Sequence, residues 1–296
     1  MGKSGFCDSV HKILLTHIES AVVAEQACKA IENIAVNVPN MERFGAIGMC
    51  DLLSRTTARH LANAVVLEGL CCVIALLATN SSNREKFGIS GMCELITRAL
   101  PGHLHNEASA EQACRALSSL SMLGEGIIDG VVQAASAPVN LNDNVWKLGQ
   151  TNASQLMVQC LRNHPNNATL ALNGLMTITY LATNDENRNK LSEPGVAEAM
   201  INAAMCHRDD PAISEQTCRA VSSIIYGNAF NSKRLGEGHS ICYTYIQYIY
   251  FKNMHTRLHA YIHNIVNFLS LLPLLFSIFF PSITLLFSSV SPQQLS

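Results

Sequence analysis

A 43-residue internal period constrains this chain more than any other feature, and it recurs in three independent phases. Glu25-Gln-Ala-Cys28-Lys-Ala returns as Glu68-Gly-Leu-Cys71-Cys-Val and as Glu111-Gln-Ala-Cys114-Arg-Ala, with a later copy at Glu215-Gln-Thr-Cys218-Arg-Ala. Gly5-Phe-Cys7-Asp returns as Gly48-Met-Cys50-Asp and Gly91-Met-Cys93-Glu. Met41-Glu-Arg-Phe44-Gly returns as Arg84-Glu-Lys-Phe87-Gly, then as Arg188-Asn-Lys-Leu191 and Lys233-Arg-Leu235-Gly. A period of this length denotes stacked supersecondary units. None is large enough to bury its own apolar face, so neighbours must complete a continuous core.

The register slips once. Phe87 matches Leu148 at a step of 61, after which Leu148 to Leu191 is again 43 and Leu191 to Leu235 is 44. We therefore expect a repeat array over 5–238, with units at 5–39, 40–82, 83–121, 144–186 and 187–230 and a partial unit at 231–238. The interruption, 122–143, contains Gly124, Gly126, Gly130 and Pro138 and reads as a loop with at most one short helix.

Each unit reads as three helices. In the 83–121 unit the spacing predicts a short helix over 83–89, a second over 92–100 and a longer third over 108–121. Ala110, Ala113, Cys114, Leu117 and Leu120 recur along the third at helical spacing. Glu25–Lys29, Glu111–Arg115 and Glu215–Arg219 stand at i,i+4 with the acid first, the favourable order.

A period near 43 with a short, medium and long helix, and a glycine between the first two, resembles the armadillo repeat. Asn83-Arg-Glu-Lys-Phe-Gly-Ile-Ser-Gly-Met-Cys-Glu-Leu-Ile and Glu25-Gln-Ala-Cys-Lys-Ala-Ile-Glu-Asn-Ile-Ala carry the likeness. HEAT repeats are the nearest rival, and the glycine before the second helix favours armadillo. The resemblance implies an all-α, right-handed superhelical solenoid of three-helix repeats. It also implies a concave groove, lined by third helices, that binds a partner peptide or helix. The family's groove asparagine falls on Asn33; the matching positions Leu76, Ser119 and Ser223 lack it. The tryptophan that nuclear-import receptors place one turn earlier is replaced by Lys29, Cys72, Arg115 and Arg219. A protein-binding scaffold is thus implied, without a specific ligand.

On that face we single out Glu25, Lys29, Glu32 and Asn33, then Glu111, Arg115 and Ser119, then Glu215, Arg219 and Ser223, as partner-binding candidates. The alternative is a solvated face whose ion pairs contribute only a few tenths of a kcal/mol each, roughly. Bulk electrostatics favour no nucleic-acid partner: charged residues are 14% and net charge is −2. No nucleophile elbow, P-loop or dinucleotide glycine pattern is present, so we expect no catalytic residues and no cofactor.

The 11 cysteines, in a chain with no apolar h-region at 1–10, suggest reduced thiols in a cytoplasmic protein. Seven of them (Cys7, Cys50, Cys93, Cys28, Cys71, Cys114 and Cys218) occupy equivalent positions, which predicts core packing and not metal ligation.

Composition changes abruptly near 238. Beyond Gly238 only Lys252 and Arg257 carry charge, and the 26 residues from Ile265 to Val290 carry none. Two readings of 239–296 follow. One is a hydrophobic helix over 265–290 that anchors a cytoplasm-facing adaptor in a membrane. The other is sequence foreign to the array. His255, His259 and His263 stand at i, i+4 and i+8 but have no acidic companion, and we expect no metal there.

Overall fold

The structure is a computed structural model that describes residues 5–123, 143–193 and 195–226. The chain divides into two compact units, Met1–Tyr243 and Thr244–Ser296, and all described residues belong to the first. The described residues form α-helices joined by short turns, with no strand. The first pair is α1 (Phe6–Thr16) and α2 (Ala21–Ala35). Four triplets follow: α3 (Val38–Ala46), α4 (Met49–Arg59) and α5 (Ala64–Leu77); α6 (Ser81–Ile89), α7 (Met92–Ala99) and α8 (Glu107–Ser121); α9 (Asp143–Gly149), α10 (Ala153–Asn163) and α11 (Ala168–Leu181); α12 (Asp185–Lys190), α13 (Val196–Cys206) and α14 (Pro211–Ile225).

The short–medium–long order matches the expectation, with two local differences. Short helices α3, α6 and α12 begin at Val38, Ser81 and Asp185, each two residues before the expected unit edge. The second helix of the 83–121 unit ends at Ala99, because Pro101 tightens Leu100–His103 into a 3-10 turn. Most of the insertion, 124–142, lies outside the described residues.

The same local chemistry builds every unit. The second helix is entered through a left-handed residue, Gly5, Gly48, Gly91 or Gly195, with φ between 71° and 96°. A side chain there would be strained, which fixes glycine at this phase. In α10 the position is Asn152 at φ −88°, and Thr151 Oγ1 instead accepts from Ala153 N. A histidine closes the second helix in four units, His17, His60, His164 and His207, and in the fifth His103 closes the 3-10 turn that follows α7. Three residues later a polar side chain caps the long helix. Ser20, Asn63, Asn106, Asn167 and Asp210 each accept a backbone N–H from its first turn. The cap's own N–H returns to the histidine carbonyl at 2.9–3.2 Å. This His-x-x-cap turn recurs at steps of 43, 43, 61 and 43.

Units are locked together by a buried seam along the short helices. Asn83 Nδ2 donates to Met41 O, Asn144 Nδ2 to Arg84 O and Asn187 Nδ2 to Val145 O, each bond reaching back one unit. Each asparagine presses on a glycine in the last turn of the preceding short helix. A Cβ at Gly45, Gly88 or Gly149 would overlap the amide oxygen of Asn83, Asn144 or Asn187 respectively. The carbonyls of the same glycines accept from Lys86, Lys147 and Lys190 Nζ at 3.0, 3.0 and 2.6 Å. The histidines add a second tie. His60, His103 and His164 bond through Nε2 to the carbonyls of Ile18, Leu61 and Leu104 at 2.7–2.8 Å, again one unit back. His207 departs: its Nε2 is buried without a hydrogen-bond partner, and Pro165 stands where the earlier units place their acceptor.

Apolar side chains fill the space between. Phe44 and Phe87 are fully buried, as are Leu148 and Leu191 at the same phase. The expected thiol core holds for Cys7, Cys50, Cys93, Cys28, Cys71 and Cys114, all buried. Burial pushes Cys50 and Cys71 up to about 12 and raises Cys28 and Cys93 further, so these thiols stay neutral. Cys114, in hydrogen-bond contact with the Cys160 thiol, is raised as well. Cys218 is the exception, only half-buried on α14.

Candidate functional site

The long helices α2, α5, α8, α11 and α14 pack one on the next in chain order. They form a single row, and every expected partner-binding residue lies on it. On α2, Lys29 and Asn33 are exposed, while Glu25 and Glu32 are half-buried. Lys29 Nζ meets Glu25 Oε1 at 2.7 Å, and Asn33 Nδ2 donates to Lys29 O. On α14, Arg219 chelates Glu215 Oε1 through Nε and Nη2, at 3.2 and 2.8 Å, and Ser223 is half-buried one turn on.

The middle of the row differs from the expectation. Glu111 and Arg115 do not pair on α8. Glu111 accepts from Asn167 Nδ2 of the next unit at 2.9 Å, and from Gln112. Arg115 Nη1 donates to Gln112 Oε1 at 3.2 Å and lies 3.9 Å from Cys72 Sγ. An i,i+4 pair is worth only about 0.3–0.5 kcal/mol, so a charge-assisted bond across the unit boundary outcompetes it. Ser119 is half-buried beside them.

This arrangement brings three units together at one point. The Cys72 thiol on α5 lies between Glu32 of α2 and Arg115 of α8. Burial and the Glu32 carboxylate raise its pKa, and the Arg115 guanidinium opposes them. Arg115 thereby sits half-buried with no carboxylate partner among the described residues, while Glu32 faces the thiol.

The sequence reading passed over the α11 segment of the row. The 61-residue step carries Glu111, Arg115 and Ser119 onto Leu172, Met176 and Tyr180, all half-buried. Burial raises the Tyr180 phenol against the pull of Arg219 and Arg84. The face therefore alternates: polar on α2, α8 and α14, more apolar on α5 through Cys72 and Leu76 and on α11 through these three. The signal was present in the sequence once the insertion step was applied to every phase.

Away from the row, a concavity of about 180 Å³ opens among α10, α12 and α13, where Ser154, Gln159, Arg162 and Lys190 meet. Its two cations are already engaged by backbone: Arg162 Nη2 with Gly195 O, and Lys190 Nζ with Gly149 O. Among the described residues no group of three or more His, Cys, Asp or Glu side chains is placed to hold a metal ion. Also among them, no helix is long and apolar enough to cross a membrane. The partial unit 231–238, the candidate anchor 265–290 and His255, His259 and His263 all lie outside the described residues. Comparison with protein-family models, with curated proteins and with solved structures gives no match.

Proposed function

We propose that this chain is a non-enzymatic, cytoplasmic protein–protein interaction scaffold of the armadillo type. Its units wind as a right-handed superhelix, and its long helices line the concave side, where a partner peptide or helix binds. The continuous row of long helices carries this reading. The long helices pack on one another across every unit boundary, yet one phase along them, Lys29, Cys72, Arg115, Met176 and Arg219, stays at least partly accessible. Such a row offers an extended partner a repeated set of contacts, the logic of repeat-protein recognition.

The partner's chemistry follows from the row's own. Arg115 and Arg219 flank the apolar Leu172, Met176 and Tyr180, which suits a segment with an apolar anchor between acidic residues. Panning a random peptide library on the full chain tests this. Enriched peptides should share that pattern and lose at least about tenfold in affinity, about 1.4 kcal/mol, when Arg115 and Arg219 are both replaced by Glu. Peptide binding indifferent to the double reversal would overturn the proposal.

A further inference from the structure

We propose that the partner segment crosses the row in extended form and carries two separated apolar side chains, a small one seated on α5 and a larger one on α11, with a carboxylate between them on Arg115. The motif rests on the reading of the row as a recognition surface. It is written on α5, α8 and α11, each of which has a long helix packed on both sides. Beyond its first turn, α5 leaves only Glu68, Gly69, Cys72 and Leu76 short of burial, and α8 and α11 leave only the equivalent four at the 43- and 61-residue steps. Positions i, i+1, i+4 and i+8 lie on one narrow face of a helix, so the three faces side by side make one strip.

The strip is apolar, then polar, then apolar. On α5, Gly69 has no side chain, and a Cβ there would meet Cys28 Cβ of α2 at 3.2 Å. Cys72 is short where Lys29 and Arg115, at the same phase on either side, are long. The result is a shallow notch over Cys72 and Leu76 that suits a small aliphatic side chain. On α11, Leu172, Met176 and Tyr180 stand at i, i+4 and i+8 and offer a broader apolar face. Between them Arg115 is half-buried, with no carboxylate partner among the described residues, whereas Lys29 and Arg219 at its phase each hold one. A segment laid over Arg115 strips its remaining water, and an unpaired buried cation is costly, so the segment must bring a carboxylate. Glu111, one turn before, already accepts from Asn167 and Gln112, so that carboxylate sits on the Ser119 side. A helical partner needs a continuous apolar groove, which the polar face of α8 interrupts. Packed helices lie about 8–10 Å apart, which puts α5 and α11 about 16–20 Å apart. An extended chain covers that in about six residues, and its side chains alternate, so the anchors fall at i and i+6 with the acid at i+2 or i+4.

Panning a random peptide library on the full chain, followed by a Cys72 footprint, tests the motif. Enriched peptides should carry a small aliphatic residue and a leucine, methionine or phenylalanine at i and i+6, in either order, with an acid between them. At about ten times its Kd, a synthetic peptide of that pattern should slow iodoacetamide alkylation of Cys72 by about tenfold, the fall in free protein. The exposed Cys206 should react unchanged in the same sample. Replacing the peptide's acid by glutamine should cost about tenfold in affinity for the unaltered chain and less than about twofold for Arg115→Gln, as a direct pair requires. The footprint uses the unaltered chain and stands even if Arg115→Gln perturbs folding. Peptides that bind but leave Cys72 reacting at its free rate overturn the motif and leave the scaffold reading in place. So do peptides that protect Cys72 but repeat their apolar residues every three or four positions, which assigns a helical partner. A library from which nothing is enriched overturns the scaffold reading itself, and the motif with it.

Discussion

The buried seam of short helices and the accessible row of long helices are built from the same repeats under opposite rules. Along the seam the chemistry is nearly invariant. Asn83, Asn144 and Asn187 meet Gly45, Gly88 and Gly149, and Lys86, Lys147 and Lys190 cap the same glycine carbonyls. Along the row the equivalent positions change from unit to unit: Lys29, Cys72, Arg115, Met176 and Arg219 occupy one phase. The difference teaches where repetition is structural. A buried amide pressed against a glycine admits no alternative side chain, so each unit must repeat it. A position facing outward carries no such demand and is free to be fitted to a partner.

The largest effect should come from breaking the seam. Gly88→Val drives a branched side chain into Asn144, whose Nδ2 bonds to Arg84 O and Leu120 O. Overpacking costs about 1–3 kcal/mol and orphaned buried amide bonds about as much again, so the denaturation midpoint should fall by the equivalent of about 3 kcal/mol. The companion variant Gly88→Ala should be partly rescued by Asn144→Ala, which removes the overlapping oxygen. Equal stability of Gly88→Ala with and without the second change would show that the glycine is there for another reason.

The histidines offer a sharper contrast within one phase. His103→Ala removes a buried donor and leaves the Leu61 carbonyl unpaired, a loss of about 1–3 kcal/mol. His207→Ala removes a ring whose Nε2 has no partner, and should change stability by no more than about 0.5 kcal/mol. Urea titrations of the two variants side by side decide it. Equal losses would mean that the histidines act by packing and not through the carbonyl tie.

A reactive probe tests the middle of the row. The Cys72 thiol is raised by burial and by Glu32, and Arg115 pulls it back. Because the thiolate is the nucleophile, Glu32→Gln should lower the Cys72 pKa and speed its alkylation at pH 8 by a few-fold, while Arg115→Gln should slow it. Mass spectrometry of the Cys72 peptide separates this from the exposed Cys206. Identical rates in all three proteins would place the two charges outside the thiol's reach.

The period, the helix triplets and the thiol core were legible because they are local or strictly periodic. Cys28, Cys71 and Cys114 mark a buried phase by recurrence alone. The seam was harder to read for a physical reason. Asn83 looks like a solvated residue at a helix start. Its burial depends on Gly45, in the preceding unit, leaving room for it, and only the packed units bring the two together. The Glu111–Arg115 pair failed for a related reason. Spacing along α8 predicts a bond worth a few tenths of a kcal/mol, roughly, and Asn167 from the next unit displaces it. The His-x-x-cap turn was periodic throughout, but a histidine outside any catalytic pattern draws no attention until its carbonyl partner is seen.

The smallest effect is the one that most sharpens the comparison. Lys29 and Arg219 hold exposed i,i+4 pairs with Glu25 and Glu215. Exposed pairs of this kind contribute about 0.3–0.5 kcal/mol, so Lys29→Ala and Arg219→Ala should leave the urea midpoint almost unmoved. If the row is a recognition surface, these substitutions alter peptide binding while stability stays fixed, the inverse of the seam variants. A loss above about 1 kcal/mol from either would mean that the pair supports the fold more than exposed pairs do. The row would then be a second structural seam, and its variation from unit to unit would need an explanation other than a partner.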